Sequence, residues 1–297
     1  SYALERAISV LVISCPCALV ISIPLSFFAG IGGLSSRGIL VKGANVIDDL
    51  AKVKQVIMDK TGTLTSGKFA VEEVLSAVDK DQLILDAAYA EHFSNHPIAQ
   101  GIKEACHSEI HDEEVTDVKE IAGRGLSVKV NGEEILAGNY KLMSEKGVQC
   151  KEETSTGTLV YVAKNGVYEG CLVLRDQLKE DAKEAIDTLH KEGKKCIIVS
   201  GDNQEITSSI GSQLGVDQAI GECMPEDKVN TVKKYMKEGM TAFVGDGVND
   251  APALAMANVS FAMKSGSDVA EQTASATLMQ HSVDQLVDGL MISRATL

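Results

Sequence analysis

Three short apolar runs in this chain of 297 residues each end in an acid-bearing, glycine-containing turn. They read "QVIMDKTGT" from residue 55, "CIIVSGDN" from 196 and "TAFVGDGVND" from 241. The last two are followed by helical sequence, and amphipathic stretches such as "EDAKEAIDTLHKEG" (180–193) and "KVNTVKKYMKEG" (228–239) lie between the runs. Repeated strand–helix units predict a parallel, doubly wound sheet, because a parallel partner strand must be reached by a crossover. In such a sheet ligands gather at the carboxyl ends of the strands. The three acidic turns therefore fall on one edge.

The first strand lies far upstream of the others, which makes residues 69–170 an insertion. That block carries two helical stretches, 81–90 and 99–106, then an acidic loop at 109–117 read as a solvated face. Alternating segments with Asn-Gly turns at 131–132 and 165–166 follow, the signature of an antiparallel sheet. The expected organisation is a membrane segment at 1–36, a stalk and first strand at 37–68, an inserted α+β domain at 69–170, and the rest of the α/β core at 171–297.

Residues 7–36 contain no charged side chain and no histidine. As one helix they would extend about 45 Å, enough to cross roughly 30 Å of hydrocarbon. Arg37 and Lys42 follow, so the carboxyl end is expected to face the cytoplasm. A formal charge of −14 excludes a basic nucleic-acid surface. Seven irregularly spaced cysteines fit a reducing compartment rather than a disulfide framework.

The turns assign a phosphate and Mg²⁺ chemistry. Mg²⁺ takes hard carboxylate and carbonyl oxygens, whereas phosphate takes backbone N–H groups, hydroxyls and a lysine. Asp59 is the candidate nucleophile, attacking a phosphoryl group to give an acyl phosphate. Asp246 is the candidate Mg²⁺ ligand, with Asp59 and the carbonyl of Thr61. Asn249 and Asp250 would hold phosphate or the metal's waters. Ser200, with Gly201 and Asp202 in its turn, would bond a phosphate oxygen. Lys228 would neutralise developing charge. Thr61 and Thr63 supply hydroxyls beside Lys60, where a second carboxylate would repel phosphate.

"DKTGTLT" (59–65), "SGDN" (200–203) and "GDGVNDAP" (245–252) resemble the signature set of P-type ATPases, built on a haloacid-dehalogenase-like Rossmann core. Phosphatases of that fold carry an acid two residues after the nucleophile; Thr61 stands there instead, which implies a persistent aspartyl phosphate. "SCPCALVIS" resembles the heavy-metal branch, and its "ALVIS" continuation the zinc/cadmium/lead exporters. Cys15 and Cys17, around Pro16, would ligate the transported ion: Zn²⁺, Cd²⁺ or Pb²⁺, with Cu(I) as the alternative. The resemblance further implies that Glu91, His96, Gly123, Gly125, Gly138 and Asn139 line an ATP pocket in the insertion. It implies a multi-pass plasma-membrane parent with cytoplasmic catalytic domains. The partners implied are the lipid bilayer, the remaining membrane helices and an actuator domain bearing a "TGE" motif that this chain lacks. A phosphohydrolase of the same fold and a non-catalytic metal-binding module are the competing readings.

Overall fold

The computed structural model describes residues 2–13, 17–155, 157–264, 267–280 and 282–297. The chain divides into two compact units, residues 1–64 with 180–297, and residues 65–179.

The first unit is built on a seven-stranded sheet. Its order is Ile39–Val41, Ala276–Leu278, Val259–Met263, Thr241–Gly245, Gln55–Asp59, Lys195–Val199, Gln218–Ile220. All neighbours are parallel except the first pair. The strands Gln55–Asp59, Thr241–Gly245 and Val259–Met263 are buried along their whole length, as expected of a sheet covered on both faces. The chain runs outward from the central strand Gln55–Asp59 on one side and then returns to fill the other. This makes a topological switch point beside that strand. Register sets Asp59 opposite Val199, and Met58 opposite Val244. The residues that leave these three strands therefore emerge at one level.

The second unit is a six-stranded antiparallel sheet: Thr65–Ser76, Val167–Leu178, Thr158–Lys164, Glu133–Gly138, Gly125–Val130, Val115–Ile121. Both predicted Asn-Gly turns are present, with Asn131, Gly132, Asn165 and Gly166 all at positive φ, the requirement of a tight primed hairpin. Helices Lys80–Ala90 and Pro97–Ala105 belong to this unit, the first packing Leu83, Ala87 and Ala88 into its core.

The expected membrane segment 1–36 falls partly outside the described residues: Tyr2–Ile13 and Cys17–Ser36 are helical, and residues 14–16 are not among those described. Among the described residues no helix is long and apolar enough to cross a membrane. The first helix carries Glu5 and Arg6, and the end of the second is committed to protein. Leu34 is fully buried, and the face bearing Gly30 and Gly33 lies against Thr296 and Ile292 of helix Asp284–Thr296. The acidic loop is the solvated face expected, with Glu109, Asp112, Glu113 and Asp117 exposed, and two of its acids also make side-chain contacts. Asp112 contacts His92, and Glu114 accepts the hydroxyl hydrogen bond of Tyr89.

Candidate functional site

The turn after Gln55–Asp59 determines the site. Thr61 (φ −74°, ψ 127°) and Gly62 (φ 72°, ψ −17°) have the dihedrals of a type II turn, which requires a residue comfortable at positive φ in its second corner. Gly62 has a second duty. A Cβ there would lie 1.7 Å from Asp246 Oδ2, so only glycine lets this turn close over the acid of the neighbouring strand end.

Asp59, Asp246 and Asp250 each offer a carboxylate oxygen within 4.8 Å of the others. Lys228, from helix Pro225–Met236, donates to Asp59 Oδ1 and to Asp250 Oδ1, both at 2.7 Å. All three of these side chains are buried, at 9%, 7% and 3% exposure respectively. Asp250 also accepts from the backbone N–H of Asp246 (3.3 Å) and of Gly247 (3.2 Å), which ties its loop into a single turn. Burial, and then the charge of Asp250, push the carboxyl of Asp59 up to about 7 against the opposing pull of Lys228. Burial lowers the proton affinity of Lys228, but Asp59 and Asp250 more than offset it and leave its pKa raised. Three carboxylates gathered this closely make a site that added positive charge would stabilise.

A second group adjoins it. Lys60 pairs with Asp202, whose Oδ2 also accepts from the hydroxyl of Ser200 at 3.1 Å. Ser200 Oγ in turn accepts from the Asp202 N–H at 3.1 Å. Thr63 is buried, and its hydroxyl has no hydrogen-bond partner. Asn249, Gly201 and Thr61 are exposed on the loops around these groups. The residues present fit the ligands that the sequence implies. Three hard carboxylates beside one lysine suit Mg²⁺, and an orphaned buried hydroxyl suits a phosphate oxygen.

In the second unit, Asn139 caps helix Tyr140–Glu145 by accepting from Leu142 N–H, and donates its side-chain amide to the Gly123 carbonyl, both at 3.0 Å. The Asn139 N–H bonds the Arg124 carbonyl at 2.8 Å. Gly125 and Gly138 face one another where a Cβ on either would come within 2.2 Å of a backbone oxygen. The "GRG" and "GN" segments are therefore one clasped turn. Glu91 ends helix Lys80–Ala90, and His96 caps helix Pro97–Ala105 by accepting from Ile98 N–H. Burial raises the carboxyl of Glu91, and nearby Glu120 adds to the rise. Cys15 lies outside the described residues; Cys17 opens the second N-terminal helix. The other five cysteines are free thiols.

Sequence reasoning assigned no role to Gly62, although its place inside "DKTGT" was a signal. Nor did it foresee that Lys228 bridges two acids from separate loops, which no local pattern encodes.

The haloacid dehalogenase-like hydrolase family matches residues 53–258. The chain is 42% identical over 299 residues to a cadmium, zinc and cobalt-transporting ATPase of Bacillus subtilis, covering 98% of this chain and 43% of that protein. It is 41% identical over 298 residues to a zinc-transporting ATPase of Synechocystis sp., covering 98% of this chain and 41% of the relative. A crystal structure of a zinc-transporting PIB-type ATPase superposes with a TM-score of 0.85 at 36% identity, covering 98% of this chain and 49% of that one. The chain thus spans less than half the length of these relatives. It belongs to the haloacid dehalogenase-like hydrolase family and aligns almost end to end with one part of the heavy-metal P-type ATPases.

Proposed function

We propose that this chain is the phosphorylation and nucleotide-binding part of a heavy-metal pump, in which Asp59 accepts the γ-phosphoryl group of ATP. The buried Asp59–Lys228–Asp250 constellation carries the reading. A carboxylate held against a lysine, in a site with no acid at the Thr61 position, is arranged to attack phosphorus. It lacks the general acid–base group that would hydrolyse the product. Asp59 Oδ attacks the γ-phosphorus in line, and ADP leaves with the bridging oxygen. Lys228 offsets negative charge on the transferring group, and Ser200 and Thr63 offer hydroxyl hydrogen bonds to its oxygens. Mg²⁺, held by Asp59, Asp246 and the Thr61 carbonyl, would supply charge neutralisation between the acids and the phosphate. Asn249 and Asp250 support this arrangement, and Lys60 with Asp202 fixes the loop of Ser200.

ATP is assigned to the inserted unit, with Glu91, His96, Gly123, Gly125, Gly138 and Asn139 around it. The nucleotide-binding unit is taken as residues 65–179, since borders at 68 and 170 would cut the strands Thr65–Ser76 and Val167–Leu178. The coupled transport is of Zn²⁺, Cd²⁺ or Pb²⁺, ligated by Cys15 and Cys17 in a multi-pass membrane protein whose catalytic units lie in the cytoplasm. The other membrane helices, the actuator and the bilayer are the partners of this chain.

Labelling with γ-³²P-ATP tests the core of this reading. The chain should hold an acid-stable, hydroxylamine-labile phosphate that is lost in Asp59→Asn. Free turnover of phosphate esters without a trapped label would favour a phosphohydrolase instead. Metal-stimulated ATPase of the full-length parent, with Zn²⁺, Cd²⁺, Pb²⁺ and Cu(I) compared, tests the ion.

A further inference from the structure

Glu91 accepts the Ser94 N–H at 3.0 Å, which closes a four-residue turn with His92 and Phe93 at its corners. Lys103, from the following helix, donates to the carbonyls of His92 (3.3 Å) and Ser94 (2.9 Å). Those carbonyls flank Phe93, so one ammonium pins the backbone on both sides of it. The neighbouring ring is held as well. His92 Nε2 contacts Asp112 Oδ1 at 2.5 Å, and the imidazole meets the Phe93 ring edge to face, with centroids 4.8 Å apart at 65°.

This scaffold displays an apolar ring to solvent: Phe93 is 54% exposed. Among the described residues beyond the two N-terminal helices, no other Phe or Tyr is exposed to this degree. A lone exposed hydrophobe on a loose loop needs no explanation. Here the loop is tied down by a lysine and an aspartate, neither of which packs the core. An aromatic face that is both exposed and immobile can stack on a flat ligand with little ordering entropy to lose. The turn also begins at Glu91, and Phe93 lies three residues before His96; these are two of the six residues assigned to the nucleotide.

We propose that Phe93 is a stacking platform for the base of the bound nucleotide, and that Lys103 is the positioning residue that holds it. This rests on the nucleotide reading of the inserted unit. A flat hydrocarbon face recognises ring area rather than hydrogen-bonding edge, so the ligand class is a purine nucleoside triphosphate, with pyrimidines overlapping less.

The chain contains no tryptophan, so Phe93→Trp places a sole indole reporter at the turn. Its emission should be quenched saturably by a non-hydrolysable ATP analogue and left unchanged by inorganic tripolyphosphate, which has no base. In calorimetry, Phe93→Ala should weaken the analogue about 5- to 160-fold, the range of base–aromatic stacking. It should also narrow the preference for ATP over CTP, while Phe93→Tyr keeps wild-type affinity. Lys103→Met should give a smaller loss with the same narrowing of base preference. Wild-type affinity and selectivity in Phe93→Ala would overturn the platform, as would analogue binding without any change in the indole emission. A wild-type chain that binds no nucleotide would overturn the proposed function itself, and the platform with it.

Discussion

Asp59→Asn is expected to stabilise the metal-free protein, by an amount that grows with pH. The carboxyl of Asp59 is raised from 3.8 to about 7 by burial and by Asp250. The folded state therefore binds its proton more tightly than the unfolded chain does. Stability from that proton is fully present below the unfolded value and is lost as pH rises through about 7. Roughly three pH units at 1.36 kcal/mol each give a ceiling of about 4 kcal/mol on the difference between variant and wild type at pH 8. An asparagine does not titrate and leaves Lys228 paired with Asp250, so the difference should be close to zero at pH 4. The assay is thermal denaturation in EDTA at pH 4, 6 and 8. At 2–4 °C per kcal/mol, the melting temperature of Asp59→Asn should exceed that of wild type at pH 8, with roughly 8–16 °C as the upper bound. Adding Mg²⁺ should close much of the gap by stabilising the wild-type acids. A variant less stable than wild type at pH 8, or a gap that shrinks as pH rises, would refute the argument that Asp59 is held at electrostatic cost.

Three further substitutions separate structure from chemistry. Lys228→Met leaves Asp59 and Asp250 facing each other without a cation. It should lower stability at pH 8 by about 3–5 kcal/mol and abolish labelling from γ-³²P-ATP, with stability partly restored by Mg²⁺. Gly62→Ala demands a strained φ and displaces Asp246. Labelling should fall at least about tenfold and need more Mg²⁺, while the fold loses only about 1–3 kcal/mol. Thr63→Val removes a buried hydroxyl that has no partner, so chemical denaturation should show wild-type stability or better, while labelling drops on the order of tenfold or more. Equal loss of stability and labelling in Thr63→Val would mean that the hydroxyl serves the fold alone.

Several elements were legible because their signals are local. The strand Gln55–Asp59 announces itself as an apolar run, and the Asn-Gly pairs at 131–132 and 165–166 can make few other turns. The edge strand Ile39–Val41 and its neighbour Ala276–Leu278 were not legible: each is three residues long, and they pair across almost the whole length of the chain. Hydropathy over the run 7–36 likewise gives no sign that Gly30 and Gly33 lie close to helix Asp284–Thr296, a contact made by the far end of the chain.

The sequence by itself determined the chemistry on offer: which strands end in acids, where glycine permits a tight turn, and that hydroxyls rather than a second acid follow Asp59. Those are properties of residue type and spacing along the chain. Only the tertiary structure decided that Lys228 bridges Asp59 and Asp250, that Gly62 closes over Asp246, and that Lys103 braces the turn of Phe93. Each of these contacts joins segments whose separation in sequence is set by sheet register and helix packing. Their energies come from burial and charge at short range, which no one-dimensional pattern records.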